Sequence, residues 1–153
     1  MSKRFKLGQS LIEVVVSLGV AVVLAVSLIA TSLVTQKTAR IAKNNNQATK
    51  LAQESMEKIR VFRDRQGFNS LGANTCLILD SRNVNPANWV LNGSCVNREI
   101  ISNNNTNFER KIKIEDMPGN TNTKLVTVTV SWNEPGGAQT VKNQTFLSKW
   151  QTP

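Results

Sequence analysis

The sequence predicts an α+β fold in which a long N-terminal helix packs on a small antiparallel β-sheet. The first sign is an apolar run from Leu11 to Val34, followed as far as Phe62 by a segment without glycine or proline. The second is the alternation of apolar and hydroxyl residues from Val126 to Trp132. The hydrophobic pattern thus has a helical period near the start of the chain and a strand period near its end. A chain of 153 residues has room for one modest domain beside the apolar run.

The apolar run is long enough to cross a membrane. As a helix, Leu11–Val34 would extend for about 36 Å, against a hydrocarbon core of about 30 Å. A conventional secretory signal is shorter and ends at a small-residue cleavage site, for which this run has only weak candidates. Lys3, Arg4 and Lys6 precede the run, and such charges stay on the cytoplasmic side. We therefore expect a single-pass protein of the cytoplasmic membrane, with its N-terminus in the cytoplasm and its C-terminal domain outside.

The helix is expected to continue beyond the membrane, from about Ser10 to Arg63. Residues 9–35 form its hydrophobic half, and residues 36–63 form an amphipathic half in which apolar and small residues recur mainly every three or four positions. The residues of this stripe, which we expect to face the core of a globular head, are Ile41, Ala48, Leu51, Ala52, Ser55, Met56, Ile59 and Phe62.

Small residues recur every four positions in the hydrophobic half of the helix. They are Ser17, Ala21 and Ala25, with Gly19 beside them. Small residues at this spacing allow helices to approach closely, but they are also common in membrane spans in general. The spacing alone leaves both explanations open.

Residues 64–107 are predicted to be mainly irregular. They are rich in asparagine and are interrupted by several glycines and a proline, which are typical of turns and loops. Two short apolar patches, at 77–79 and 89–91, could be short strands or loop segments that pack on the core.

Residues 108–153 predict a three-stranded antiparallel meander. The strands are expected near 110–114, 125–132 and 140–149, because apolar and polar residues alternate in the first two of these segments. Glycine-containing turns at Met117–Asn120 and Glu134–Gly137 separate them. The apolar face of this meander would receive the stripe of the helix.

The chain has two cysteines, Cys76 and Cys95, and both lie in the irregular region. Neither belongs to a Cys-x-x-Cys motif, and in an exported domain a disulfide between them is favoured over two free thiols. Closing a loop of this length would stabilise the fold by about 3 kcal/mol in the chain-entropy description.

The composition argues against catalysis and metal binding. The chain has no histidine, and its 10 acidic residues show no spacing typical of an acid–base pair. It also lacks a glycine-rich phosphate loop and a paired-cysteine redox motif. We therefore expect no enzymatic activity, no catalytic residues, no cofactor and no metal site.

The N-terminal residues carry a more specific signal. A basic leader, residues 1–8, ends in Gly8, and Gln9-Ser10-Leu11-Ile12-Glu13 then leads into the apolar helix. This resembles the class III signal of type IV pilins and pseudopilins. The resemblance implies that a prepilin peptidase cuts after Gly8 and methylates the new N-terminus at Gln9, where the family most often has phenylalanine.

Glu13 falls on the glutamate that this family uses in assembly. Cleavage would create a cationic amine at the membrane, where an unpaired charge is costly. The resemblance implies that Glu13 pairs with the N-terminus of an adjacent subunit. A carboxylate at this position therefore predicts an assembly residue that selects the register between neighbouring helices.

The predicted helix and sheet also resemble V-type minor pilins and I-type pseudopilins of type II secretion. Many major pilins have a disulfide in a C-terminal loop, whereas both cysteines here precede the meander, which favours a minor pilin. The resemblance implies a structural subunit of a type IV pilus-like filament, or alternatively a pseudopilin of a type II secretion system. It implies as partners other pilin subunits, the prepilin peptidase, a membrane assembly platform and, before assembly, the lipid bilayer.

The excess of basic residues, 19 Lys and Arg against 10 Asp and Glu, raises a further alternative. A filament-displayed module that binds DNA or a surface would use basic residues on the head. An ordinary solvated sheet face is the simpler explanation, because no aromatic platform or nucleic-acid-binding motif accompanies them. The basic residues concerned are Arg98, Arg110, Lys111, Lys113, Lys124, Lys142 and Lys149.

Overall fold

The computed structural model describes the backbone of residues 6–80, 83–93, 99–103 and 106–149, and within these ranges the side chains from residue 11 onward except those of 74–76. The chain divides into two compact units, Met1–Ala42 and Lys43–Pro153. The second unit is called the head below. The elements in chain order are helix α1 (Lys6–Gln66), strands β1 (Asn74–Asp80), β2 (Val90–Asn92), β3 (Glu99–Asn103), β4 (Thr106–Met117), β5 (Asn120–Glu134) and β6 (Gly137–Ser148), with 3₁₀ helices at Phe68–Leu71 and Pro86–Asn88.

Helix α1 is a single helix of 61 residues, about 90 Å long at the usual rise per residue. This confirms the predicted long N-terminal helix. Its end has a clear local cause: Gly67 adopts φ 91°, and its N–H donates to the carbonyl of Arg63 at 2.8 Å. A backbone conformation with positive φ after the last turn is readily supplied by glycine. Arg63 and Arg65 in the last turn complement the negative end of the helix dipole.

The head contains an antiparallel sheet in the order β2-β1-β4-β5-β6, and β3 also pairs with β4. Strands β4, β5 and β6 form the predicted meander. Pro118 and Gly119 connect the first two strands, and Pro135 and Gly136 connect the last two. The positive φ angles of Gly119 (76°) and Gly137 (116°) explain why glycine stands at both turns.

The region 64–107 differs from the irregular structure that the sequence predicted, since it contains β1, β2 and β3. The patch at 77–79 lies in β1, and part of the patch at 89–91 forms β2. These strands are short and are stabilised by pairing with other strands. Leu77 lies opposite Ile112 of β4, and Leu79 lies opposite Leu91 of β2. Such non-local pairing has little trace in local sequence.

The core of the head lies between α1 and one face of the sheet. Val126, Val128 and Val130 are fully buried and Trp132 is 4% exposed, so the predicted strand face is confirmed. The helix stripe is confirmed from Ala48 to Phe62, whereas Ile41 is exposed. The helix residues that contribute to the core are Ala48, Leu51, Ala52, Met56, Ile59 and Phe62.

Candidate assembly site on the N-terminal helix

The first part of α1 exposes its apolar side chains. From Leu11 to Val34 the large hydrophobic residues are between 54% and 72% exposed. By length and composition this helix can cross a membrane, and its most apolar window has no buried share, unlike the core helix of a soluble protein. An apolar surface of this size requires a bilayer or protein partners to cover it.

Glu13 lies in this exposed segment, and its side chain is the third of those that the structure describes, which begin at Leu11. It is the one carboxylate between Leu11 and Val34. Residues Lys6–Ser10 are already helical, so Gln9 stands one helical turn before Glu13, about 6 Å along the axis. The side chain of Gln9 and leader residues 1–5 lie outside the described residues. Cleavage after Gly8 therefore stays a prediction.

Hydroxyl residues form a stripe on the same side of the helix as Glu13. At about 100° per residue, they fall within an arc of about 80° around the direction of Glu13. A spacing of mainly three or four between hydroxyl residues is the signal for this stripe in the sequence, and it differs from the predicted row of Ser17, Ala21 and Ala25. We call it the hydroxyl stripe, and it comprises Ser17, Ser27, Thr31, Thr35 and Thr38.

The hydroxyl stripe is satisfied within α1. Ser27 donates to the carbonyl of Val23 and Thr31 to that of Ser27, both at 2.8 Å. Ser17, Thr35 and Thr38 make equivalent bonds of 2.9 Å. A hydroxyl bonded in this way can enter hydrocarbon without an unsatisfied donor. The stripe is thus compatible with a bilayer. Its side chains are also small, so a neighbouring helix could approach closely on this side.

The predicted small-residue row is only partly on this stripe. Ser17 belongs to it, whereas Ala21 and Ala25 turn progressively around the helix because a spacing of four advances by about 40° each time. Gly19 has open space around the position of an added Cβ atom. Gly19 lies about 160° around the helix from Ala21 and about 120° from Ala25, so these small residues do not form one surface, and only Ala21 borders the hydroxyl stripe next to Ser17.

The predicted disulfide falls largely outside the described residues. Cys95 is among residues 94–98, and of Cys76 only the backbone, in β1, is described. Their pairing stays a prediction. Among the described residues there is no group of three or more His, Cys, Asp or Glu side chains that could hold a metal ion.

Most of the basic residues proposed for a DNA- or surface-binding face have acidic partners. Arg110 pairs with Glu99 and Lys124 with Asp116, each at 2.5 Å. Lys113 and Lys111 pair with neighbouring carboxylates at 2.6 and 2.9 Å. These pairs reduce the net positive charge that the sheet presents, which weakens the argument for a nucleic-acid interface. Arg98 lies outside the described residues.

The function of this chain has to be inferred from its own residues, because no family model, no curated protein and no solved structure matches it. The exposed apolar surface and Glu13 are the features that a function must explain.

Proposed function

We propose that this chain is a minor pilin, a structural subunit of a type IV pilus-like filament. One observation carries the proposal: a single continuous helix has a first part with an exposed apolar surface and a second part that contributes to the core of the head. A subunit of this kind resides in the bilayer before assembly. In the filament, the same apolar surface is covered by the helices of other subunits.

Processing by a prepilin peptidase prepares the helix for assembly. Cleavage between Gly8 and Gln9 removes the basic leader, and methylation leaves the amine of Gln9 cationic. Glu13 of a neighbouring subunit neutralises this amine. Two unit charges 4 Å apart attract by about 4 kcal/mol where the effective dielectric constant is about 20, so a neighbour in the wrong register is strongly disfavoured.

The chemistry at this site is therefore done to the protein by the peptidase, and the protein contributes binding. Its partners are other pilin subunits, the peptidase and a membrane assembly platform. The positions of Lys3, Arg4 and Lys6 support an N-terminus in the cytoplasm and a head on the opposite side of the membrane.

Intact mass and N-terminal sequencing of the membrane-extracted chain test this proposal. The full chain is expressed with and without a prepilin peptidase. We expect a mature N-terminus at Gln9 carrying one methyl group when the peptidase is present, and the intact Met1 terminus when it is absent.

A matched pair of leader variants provides the control. Gly8→Val should block cleavage, because a branched side chain replaces the smallest residue at the cut, whereas Leu7→Val should be processed normally. An intact Met1 terminus in the presence of an active peptidase would overturn the proposal.

A further inference from the structure

Strand β6 is an open edge of the sheet in the head. It pairs with β5 from Thr123 opposite Ser148 to Glu134 opposite Gly137, in one continuous register. In the described part of the chain no strand lies on its other side. An edge of 12 residues without a bulge or proline is a template for another strand.

The hydrogen-bond pattern identifies the residues that point outward from this edge. The N–H of Lys149, just after β6, donates to the carbonyl of Asn122 at 2.8 Å. In an antiparallel pair, such bonded residues alternate with residues whose backbone groups face away from the partner. Counting back from Lys149, the outward N–H and C=O groups on β6 belong to Ser148, Phe146, Gln144, Lys142, Thr140 and Ala138, of which the central four are the furthest from the strand ends.

A groove runs beside this edge, between β6 and α1, with a volume of about 300 Å³. Met56 and Arg60 line it from the helix, and Asn143 and Thr145 line it from the strand. On β5 the positions opposite Asn143 and Thr145 are Val128 and Val126, which are fully buried. In the middle of β6 the core-facing side of the sheet thus changes from apolar to polar, between Val141 and Leu147, which still contact the core, and a space remains there for side chains of an added strand.

The charges around the edge select among possible occupants. Lys142 is exposed, and the residues from Gly137 to Lys149 include two lysines and no acidic residue. The guanidinium of Arg60 lies 2.6 Å from the carboxylate of Glu57, so the helix side of the groove is nearly neutral. The excess positive charge is therefore on β6 itself.

A second copy of β6 is a poor occupant. Laid antiparallel along this edge in a register centred near Lys142, it would bring its own Lys142 opposite or diagonal to the first Lys142. Like charges in such cross-strand positions are destabilising. A segment with carboxylates at alternate positions would instead place one of them against Lys142.

We propose that the edge of β6 binds an extended acidic segment of a partner protein by strand addition. Backbone hydrogen bonds to Thr140, Lys142, Gln144 and Phe146 hold the segment. A carboxylate pairs with Lys142, and the side chains at the alternate positions of the segment enter the groove. In this mode of recognition the backbone supplies affinity and the side-chain positions supply specificity.

Amide hydrogen exchange of the full chain in detergent, followed residue by residue by NMR, tests this inference. The probe is a synthetic peptide of alternating threonine and glutamate, and the matched control peptide has lysine in place of glutamate. With the acidic peptide, exchange at Thr140, Lys142, Gln144 and Phe146 should slow by about tenfold or more. The amides of Val141, Asn143 and Thr145, already bonded to β5, should not change.

Two variants make the test decisive. Lys142→Glu should reverse the preference, so that the lysine peptide protects the edge and the glutamate peptide does not. Gln144→Pro removes one outward donor and should weaken binding while the fold, checked by circular dichroism, is retained.

Three results would each overturn the proposal. They are no protection by the acidic peptide, equal protection by both peptides, and protection in the peptide-free protein that rises with protein concentration. The third would assign the edge to a second copy of the chain.

Discussion

Asn44 of α1 and Glu134 of β5 are joined by a hydrogen bond, from Asn44 Nδ2 to Glu134 Oε1. The indole N–H of Trp132 donates to the same oxygen at 3.1 Å. One carboxylate oxygen thus satisfies two donors on different elements of the head. Both donor residues have little exposure, 9% for Asn44 and 4% for Trp132, so water cannot readily replace Glu134.

Glu134→Ala should lower the free energy of unfolding of the head by about 1–3 kcal/mol, because it leaves two buried donors without a partner. Glu134→Gln keeps an acceptor oxygen at this position and should cost clearly less. Urea denaturation of the full chain in detergent, followed by tryptophan fluorescence, measures both. Asn133→Ala, at an exposed neighbouring position, should change stability by no more than about 0.5 kcal/mol. Equal losses for Glu134→Ala and Asn133→Ala would contradict the role of Glu134.

Glu99→Ala should destabilise the head more than Arg110→Met. The guanidinium of Arg110 donates from Nε to one oxygen of Glu99 at 2.7 Å and from Nη2 to the other. The Arg110 side chain is 5% exposed and that of Glu99 is 27% exposed. Removing Glu99 leaves a buried cation without its hydrogen-bonded partner, at about 3–5 kcal/mol. Arg110→Met leaves instead the carboxylate of Glu99, which is 27% exposed and can be hydrated, so its loss of stability should be smaller.

The same denaturation measurement distinguishes the two variants. Glu115→Ala is the control, because its partner Lys113 and Glu115 itself are 41% and 42% exposed, and such pairs contribute less than about 1 kcal/mol. A larger loss for Arg110→Met than for Glu99→Ala would mean that Arg110 acts mainly through packing.

Glu13→Gln should leave membrane insertion and cleavage after Gly8 intact but reduce incorporation into filaments by about tenfold or more, since a neutral amide cannot neutralise the amine of a neighbour. Glu13→Asp keeps the charge and should be incorporated better than Glu13→Gln. Quantifying the chain in sheared filaments and in membranes measures the effect. Normal incorporation of Glu13→Gln into filaments would contradict the proposed role of Glu13 in assembly.

Ala21→Leu should also reduce incorporation into filaments, because added bulk beside the hydroxyl stripe prevents close approach of another helix. Val22→Leu lies on the opposite side of the helix from Glu13 and adds a methylene group to a side chain that is already large. It should be tolerated. Comparable incorporation of both variants in the same filament preparation would show that this side of the helix makes no close contact.

The sequence predicts the long helix and the meander well, because both depend on local periodicity. Leu51 and Ile59 recur with the helical period, and Val126 and Val130 with the strand period, so the face that each would bury could be read before the structure. The proposed Gly8–Glu13 signal is also local, since it is a short linear segment.

The sequence could not predict contacts between residues far apart in the chain. Asn44 and Glu134 are 90 positions apart, and no local pattern indicates that they meet. Strands β1 and β3 likewise depend on pairing with β4. The groove that Asn143 and Thr145 line forms only because the fold places β6 at the edge of the sheet beside α1.

By itself, then, the sequence determined the exposed apolar helix, its acidic residue Glu13 and the three strands of the meander, since periodicity and charge placement act over a few neighbouring residues. Only the tertiary structure decided which strands complete the sheet, which buried polar groups find partners, and which edge stays open. All three features depend on chain segments that the fold brings together. Residues distant in sequence decide which strands can pair and which polar groups lose contact with water.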